Sequence, residues 1–395
     1  RRVYAETLYP RLHFGWSGLL SATEGSYRFI RAPRPELYDL SADPHERTNL
    51  VDTRSSTSAG LAAWLKEVTA GTGVVEPSPV SAEVRERLKA LGYVGSAAAP
   101  ANSDQRLPDP KDTIASYEAL KRGQALANGG NDAAAAAEFR RLVSVNPRML
   151  DAWESLAKSL LKTGRTSEAI DAFASVLTLD PLKPETHLAL ARVFALDGQR
   201  AKARNHAEMA QKRDPAAADE LLAELMMDDG RLNDAATHAR HSIEIDPARY
   251  MSHFVLGVVA EQQGRCDDAI GDFRRAIAAK RTEPNAVVRN LHAGLGDCLA
   301  RTGKDADAET EFQAEISAIP SSPEGRVGLA TLYRSEGRDA DARLVLGGLV
   351  ASTPDAGADV YYTVVHTFTV LGDLAAARDW AAKARAKFPR DARFR

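Results

Sequence analysis

From residue 113 onward, apolar residues recur three and four apart in blocks of about a dozen, the spacing of one buried helical face. Paired blocks are separated by a glycine and closed by a proline. In "LDAWESLAKSLLKTGRTSEAIDAFASVLTLDPLK", residues 150 to 183, Trp153, Leu156, Ala157 and Leu160 share one face, and Gly164 ends that helix. Ala169, Phe173 and Val176 make the facing stripe of a second helix, which Pro181 closes. Small Ala157 and Ala169 let two antiparallel helices approach while their larger neighbours fill the space between. A hairpin of this kind cannot bury its own apolar surface and must stack on copies of itself.

The punctuation is periodic. Pro147, Pro181, Pro215, Pro247, Pro320, Pro354 and Pro389 stand at or near a 34-residue spacing, with the one wide gap holding two repeat lengths. Gly130, Gly164, Gly198, Gly230, Gly264, Gly303, Gly337 and Gly372 keep the same beat. Eight hairpins are expected, beginning near residues 116, 150, 184, 216, 250, 289, 323 and 358. The fourth is two residues short, and "KRTEPNAVVRN", with a late Pro284, makes the join from the fifth to the sixth irregular. The first is the most degenerate, with Arg122 where a leucine is expected, as a capping repeat would be.

Before residue 95 the period shortens. "RRVYAETL", "YRFIR" and "ELYDL" read as short strands joined by Gly- and Pro-containing turns, which predicts an antiparallel meander. "SAGLAAWLKEVTAG" and "SAEVRERLKALGYVG" read as helices, and residues 96 to 112 have linker composition. In "PELYDLSADPHERTNL", residues 35 to 50, Asp43 is a good N-cap, Pro44 suits the first helical position and Glu46 the third. One turn of helix is expected there, delivering Leu50 as an anchor on the sheet.

Composition narrows the chemistry. A net charge of -3 gives no electrostatic case for nucleic acid, and no apolar run approaches a membrane span. The chain opens on Arg1 with no basic-then-apolar leader and is expected to be a piece of a longer product. Cys266 and Cys298 lie in no CxxC and are expected to pack as small hydrophobes. His238 and His241 stand three apart without a third ligand nearby, so they read as exposed histidines. His187, His253 and His292 occupy the repeat position that Trp153 holds and read as packing residues.

The repeated pattern resembles the tetratricopeptide repeat, W-x2-L-G-x2-Y then A-x3-F then P. Trp153/Leu156/Ala157/Leu160/Ala169/Phe173/Pro181 fits it in one copy and Leu295/Gly296/Leu299/Ala308/Phe312/Pro320 in another. The resemblance implies a mainly α protein: a right-handed α-α superhelix of about eight hairpins, preceded by a small α+β segment. It also implies a concave groove lined by first helices that takes a protein or peptide. The groove-facing positions would be Glu154, Lys158, Lys162, Leu188, Arg192, Phe254, Val258, Arg334, Tyr362 and His366. Lys158, Lys162 and Arg192 would bring three positive charges together for an acidic peptide, with Glu154 and Glu185 nearby to neutralise them.

"YAETLYPRLHFGW", "YRFI" and "PELYDLSADPHERTNL" together resemble the C-terminal end of bacterial sulfatases, of alkaline-phosphatase-like fold. Glu36, Leu37, Tyr38, Asp39, Leu40, Asp43, Pro44, Glu46, Asn49 and Leu50 match that family's closing pattern without a gap. The expected division is a sulfatase-like C-terminal portion over 1–95, a linker over 96–112 and eight repeats over 113–395. By this resemblance the intact parent is a sulfuric ester hydrolase, with formylglycine and a divalent metal, calcium by preference, in a catalytic part outside this chain. An extracytoplasmic location follows from the same resemblance alone. No catalytic, cofactor or metal residue is carried over to this sequence, because neither cysteine stands in a C/S-x-P/A-x-R motif. His13 in "RLHFGW" is the one residue that would border a cleft. Two functions are therefore expected: a non-catalytic interaction scaffold attached to the end of a hydrolase, or an adaptor whose sulfatase-like tail has no enzymatic role.

Overall fold

The computed structural model describes residues 1–70, 107–281 and 286–394. Two compact units divide the chain, Arg1–Arg213 and Asp214–Arg395. The helix expected over residues 81–95 and the late Pro284 lie outside the described residues.

The first unit opens on the expected meander. Strands β1 (Arg2–Thr7), β2 (Leu19–Glu24), β3 (Tyr27–Arg31) and β4 (Glu36–Asp39) pair antiparallel in sequence order. A short helix, α1 (Tyr9–Phe14), separates the first two strands. Ala22 lies opposite Phe29 and Phe29 opposite Leu37, so these side chains share one face of the sheet. Helix α2 (Ser55–Val68) covers that face with Leu61 and Leu65, and Leu50 packs at the edge of this core.

The stretch from 35 to 50 differs from its expectation in one respect. No helical turn forms after Asp43. Asp43 Oδ2 accepts instead from the Arg47 and Thr48 N–H groups at 2.6 and 2.7 Å. Glu46 has φ of 53°, a left-handed conformation that does not propagate a right-handed helix, and its carboxylate pairs with Arg28 at 2.6 Å. The physical reason lies just beyond it, because the chain must turn back along the free edge of β4. There Asn49 Oδ1 accepts from Leu37 and Val51 N–H, both at 3.0 Å, and Asn49 Nδ2 donates to the Pro35 carbonyl at 3.2 Å. Leu50 N–H adds a bond to the Leu37 carbonyl at 2.7 Å. One asparagine thus satisfies backbone groups that a fifth strand would otherwise pair.

The far end of the expected linker is docked rather than free. Asp109 is buried, and its carboxylate accepts from Arg34 N–H at 3.1 Å and Lys111 N–H at 3.0 Å. The Lys111 ammonium also pairs with Glu36.

Three hairpins complete the first unit: α3 (Ile114–Asn128) with α4 (Asp132–Val145), α5 (Leu150–Lys162) with α6 (Thr166–Leu179), and α7 (Pro184–Leu196) with α8 (Arg200–Gln211). Five make up the second. These are α9 (Pro215–Asp228) with α10 (Leu232–Ile245), α11 (Tyr250–Gln262) with α12 (Cys266–Lys280), and α13 (Leu291–Arg301) with α14 (Asp305–Ala318). The last two pair α15 (Pro323–Ser335) with α16 (Asp339–Ser352) and α17 (Ala358–Val370) with α18 (Leu374–Lys387). Pro215 stands at the first position of α9 behind its Asp214 cap, instead of closing the preceding repeat.

The periodic glycines all do one job. Each of the eight has φ between 71° and 77°, where a Cβ is penalised. Arg165 N–H reaches back to the Leu160 carbonyl at 2.9 Å and Gly164 N–H to Leu161 at 3.0 Å, the two bonds of a Schellman cap. Lys304 and Gly303 repeat the pair on Leu299 and Ala300.

The prolines carry a second device that residue spacing alone did not reveal. Six residues after the proline, a side-chain N–H returns to the proline carbonyl: Trp153 to Pro147 at 2.9 Å, His187 to Pro181 at 3.0 Å, His253 to Pro247 at 3.1 Å and Arg326 to Pro320 at 3.1 Å. A carbonyl only accepts, so both histidines carry their proton on Nε2. Different residue types fill this position because each offers a ring or guanidine N–H at the same reach. His292, which follows the irregular join, donates through Nδ1 to Glu311 at 2.6 Å instead.

Candidate partner-binding faces of the repeats

In the first unit, the expected groove residues separate into two kinds. Lys158 and Lys162 are exposed on α5 and Arg192 is exposed on α7. Lys162 is held by Asp132 of the preceding repeat at 3.4 Å. Lys158 and Arg192 form no ion pair among the described residues. Glu154 turns inward to the buried Lys183 at 3.1 Å. Burial pushes the Glu154 carboxyl above its ordinary range against the pull of Lys183 and Lys158. Leu188 is 7% exposed and packs in the core, so it offers nothing to a ligand.

In the second unit, Phe254 is likewise 7% exposed and Val258 packs against the core. A first-helix position faces the groove only where the neighbouring repeat does not cover it. Leu188, Phe254 and Val258 of the expected set are covered in this way. Arg334 is engaged by Asp339 and by the Leu371 carbonyl at 3.1 Å, which ties α15 to the end of α17. Tyr362 and His366 remain exposed on α17, stacked at 5.6 Å with their planes 9° apart, and the Arg393 guanidinium lies 5.3 Å from the Tyr362 ring.

The histidine pair on α10 is not idle. His238 and His241 direct Nδ1 to the two oxygens of Asp219 at 2.7 and 2.5 Å, and Asp219 is 1% exposed. Residue spacing missed this because the carboxylate comes from the other helix of the hairpin. Among the described residues, no group of three His, Cys, Asp or Glu side chains is arranged to hold a metal ion, and no helix is long and apolar enough to cross a membrane.

His13 sits at a seam within the first unit. It stacks on Tyr9 at 4.1 Å and bonds Asp151 of α5 at 2.9 Å. Asn146 Nδ2 donates to the Phe14 carbonyl at 3.0 Å. At Gly15, with φ of 68°, a Cβ would lie 2.5 Å from the Arg148 side chain, so the approach itself requires glycine. The N-terminal segment therefore covers the first two repeats. Arg122, the odd residue of the degenerate first copy, is exposed and paired to Glu138 at 3.0 Å.

Glu261, on α11, carries a titration with a consequence for stability. Burial pushes its carboxyl up to about 7, with Asp297 adding to the effect and Arg301 opposing it. The folded-state value lies above the unfolded one, so the protonated form is the stabilising one. Its contribution is complete below the unfolded value and is lost as pH rises through about 7. Solvent reaches part of this side chain, which limits the loss to about 1–2 kcal/mol. Denaturant unfolding at several pH values should show that decline in the parent chain and a flatter profile in Glu261→Gln; equal slopes would remove Glu261 as the cause.

Residues 120–184, 223–286 and 254–323 match the family model of the tetratricopeptide repeat. Within those residues the hairpins match that repeat, and the chain is mainly α with a four-stranded antiparallel sheet ahead of them. Cellulose synthase operon protein C of Pseudomonas fluorescens (strain SBW25) is 26% identical over 212 residues. That match takes in 53% of this chain but 14% of the relative, so the chain spans a small part of that protein's length. Among solved structures, the APC/C hetero-tetramer Cut9–Hcn1 is 17% identical with a TM-score of 0.53, over 64% of this chain and 48% of that one. Pseudomonas aeruginosa PilF is 16% identical with a TM-score of 0.42, over 53% of this chain and 94% of that one.

Proposed function

We propose that the repeats are a scaffold for a protein or peptide partner, and that an acidic segment of that partner engages the exposed cations of α5 and α7. The supporting observation is a division of labour within the hairpins. Cap glycines, proline carbonyls and the small residues of each helix pair serve stacking, while Lys158 and Arg192 stay exposed without an ion pair among the described residues. Stacked repeats use such exposed first-helix positions as extended binding surfaces. Fluorescence anisotropy with acidic, neutral and basic peptides tests this. Acidic peptides should bind, lose affinity as salt rises, and bind about tenfold more weakly to the Lys158→Glu/Arg192→Glu double variant, a change of about 1.4 kcal/mol. Indifference to peptide charge, or an unchanged double variant, would remove this face.

A second reading concerns the N-terminal segment: residues 1–95 close a sulfatase-like hydrolase whose catalytic part, with its metal and formylglycine, lies elsewhere in the parent. It is favoured by the gapless motif from Glu36 to Leu50, in which Asn49 and Leu50 seal the edge of the sheet. The parent would then hydrolyse sulfate esters in an extracytoplasmic compartment. Assaying aryl sulfate hydrolysis by the product of the whole gene decides it. Metal-dependent turnover would support the hydrolase reading, and an inactive product would leave a repeat adaptor with a structural tail.

A further inference from the structure

Ion pairs at one repeat position link the second helices of successive repeats. Arg140, ten residues after Gly130, pairs with Glu168 of the next repeat at 2.9 Å. Arg274, ten after Gly264, pairs with Asp307 of the next repeat at 3.8 Å. Arg240, ten after Gly230, holds the same place, and Asp268 stands where Glu168 and Asp307 do, four residues after a cap glycine. Here the bridge is not made. Asp268 is held by Arg265 at 2.6 Å, and Arg240 forms no ion pair among the described residues. Glu168 serves two guanidiniums at once, Arg140 and, at 2.6 Å, its own repeat's Arg165. Aspartate is one methylene shorter, so Asp268 serves its own repeat's arginine and leaves Arg240 over.

Arg240 lines a cavity of about 320 Å³ between α10, α11 and α12, a volume at the small end of ligand sites. Leu256, Val259 and Ala260 of α11, all buried, supply its apolar wall. Arg265, Asp268, Asp272 and Arg275 complete the lining. Asp272 accepts from Arg275 as Asp268 does from Arg265, so both carboxylates are taken and Arg240 is the excess cation.

We propose that this cavity binds a small aliphatic carboxylate, whose charge meets Arg240 and whose hydrocarbon body rests on Leu256, Val259 and Ala260. A carboxylate is what Arg140 and Arg274 receive from the protein at the same repeat position. Guanidinium and carboxylate match in planar, charge-assisted hydrogen bonds. A phosphate dianion fits less well, because Asp268 and Asp272 repel a second negative charge. The site lies in the second unit and uses none of the cations of α5 and α7.

Saturation-transfer NMR on the whole chain, with isocaproate as the probe, tests this. Isocaproate should receive saturation most strongly at its methyl protons, and the uncharged isocaproamide should receive none. Inorganic phosphate should displace it only weakly. Arg240→Gln should weaken isocaproate binding about tenfold, the loss expected for one charge-assisted hydrogen bond. Arg240 is exposed and unpaired among the described residues, so urea unfolding of this variant should match the parent. Asp268→Glu restores the missing methylene, letting the side chain reach Arg240 as Glu168 reaches Arg140. Binding should fall in that variant although the charge of the lining is unchanged. Unaltered affinity in either variant would overturn the proposal. So would equal saturation of isocaproate and isocaproamide, or full displacement by phosphate at equal concentration.

Discussion

Phe273→Ala should lower the unfolding free energy of the second unit by about 3–5 kcal/mol, the cost of removing a fully buried aromatic ring. Phe273 has no exposed surface, and its ring lies where side chains are missing on two first helices. A Cβ at Gly257 of its own repeat would stand 2.6 Å from the ring, and one at Gly294 of the next repeat 2.8 Å. Phe312 repeats the arrangement, with corresponding distances of 2.8 Å at Gly296 and 2.3 Å at Gly328. The second-helix phenylalanine is thus a wedge shared by two repeats, and glycine on both sides makes room for it. Alanine leaves a cavity that neither glycine can fill. Because neighbouring repeats stabilise one another through such interfaces, the transition should broaden as well as shift. Urea unfolding followed by circular dichroism gives both quantities. A loss below about 1 kcal/mol would mean that the helices close over the gap.

The repeats were legible because their signals are local. Gly164 and its seven counterparts needed only their own φ and the helix just before them, and all eight appear where the spacing placed them. The meander was legible for the same reason: alternation over a few residues fixes which face is apolar. What escaped depends on partners far along the chain. Glu46 looked like a helix cap until Asn49 and Leu50 were seen to need the edge of β4. His238 and His241 looked solitary because Asp219 comes from another helix. Leu188 and Phe254 fell on the expected binding face by repeat position, but coverage by neighbouring helices is a tertiary property that position does not encode.

The irregular join illustrates the same limit and leads to the second large effect. The insertion after α12 carries no proline three residues before the next helix, so α13 starts without the usual entry. Glu315, from the second helix of the same repeat, supplies the cap instead. It is 1% exposed; Oε1 accepts from Asn290 N–H at 2.9 Å, and Oε2 accepts from His292 and Ala293 N–H at 3.1 and 3.3 Å. These are the orphan donors of a helix start, and a carboxylate there also meets the positive end of the helix dipole. Asn290 has φ of 66°, a strained entry that the carboxylate helps to hold. Glu315→Ala would leave three donors, one buried and two part-buried, without an acceptor and should cost about 3 kcal/mol. Glu315→Gln retains an acceptor oxygen but loses the charge, so it should fall between the parent and alanine. Amide exchange at Asn290, His292 and Ala293 separates this role from general packing. Those three amides should lose protection before the rest of α13 does. If alanine at 315 destabilises the unit while they stay protected, the cap is not the source of the loss.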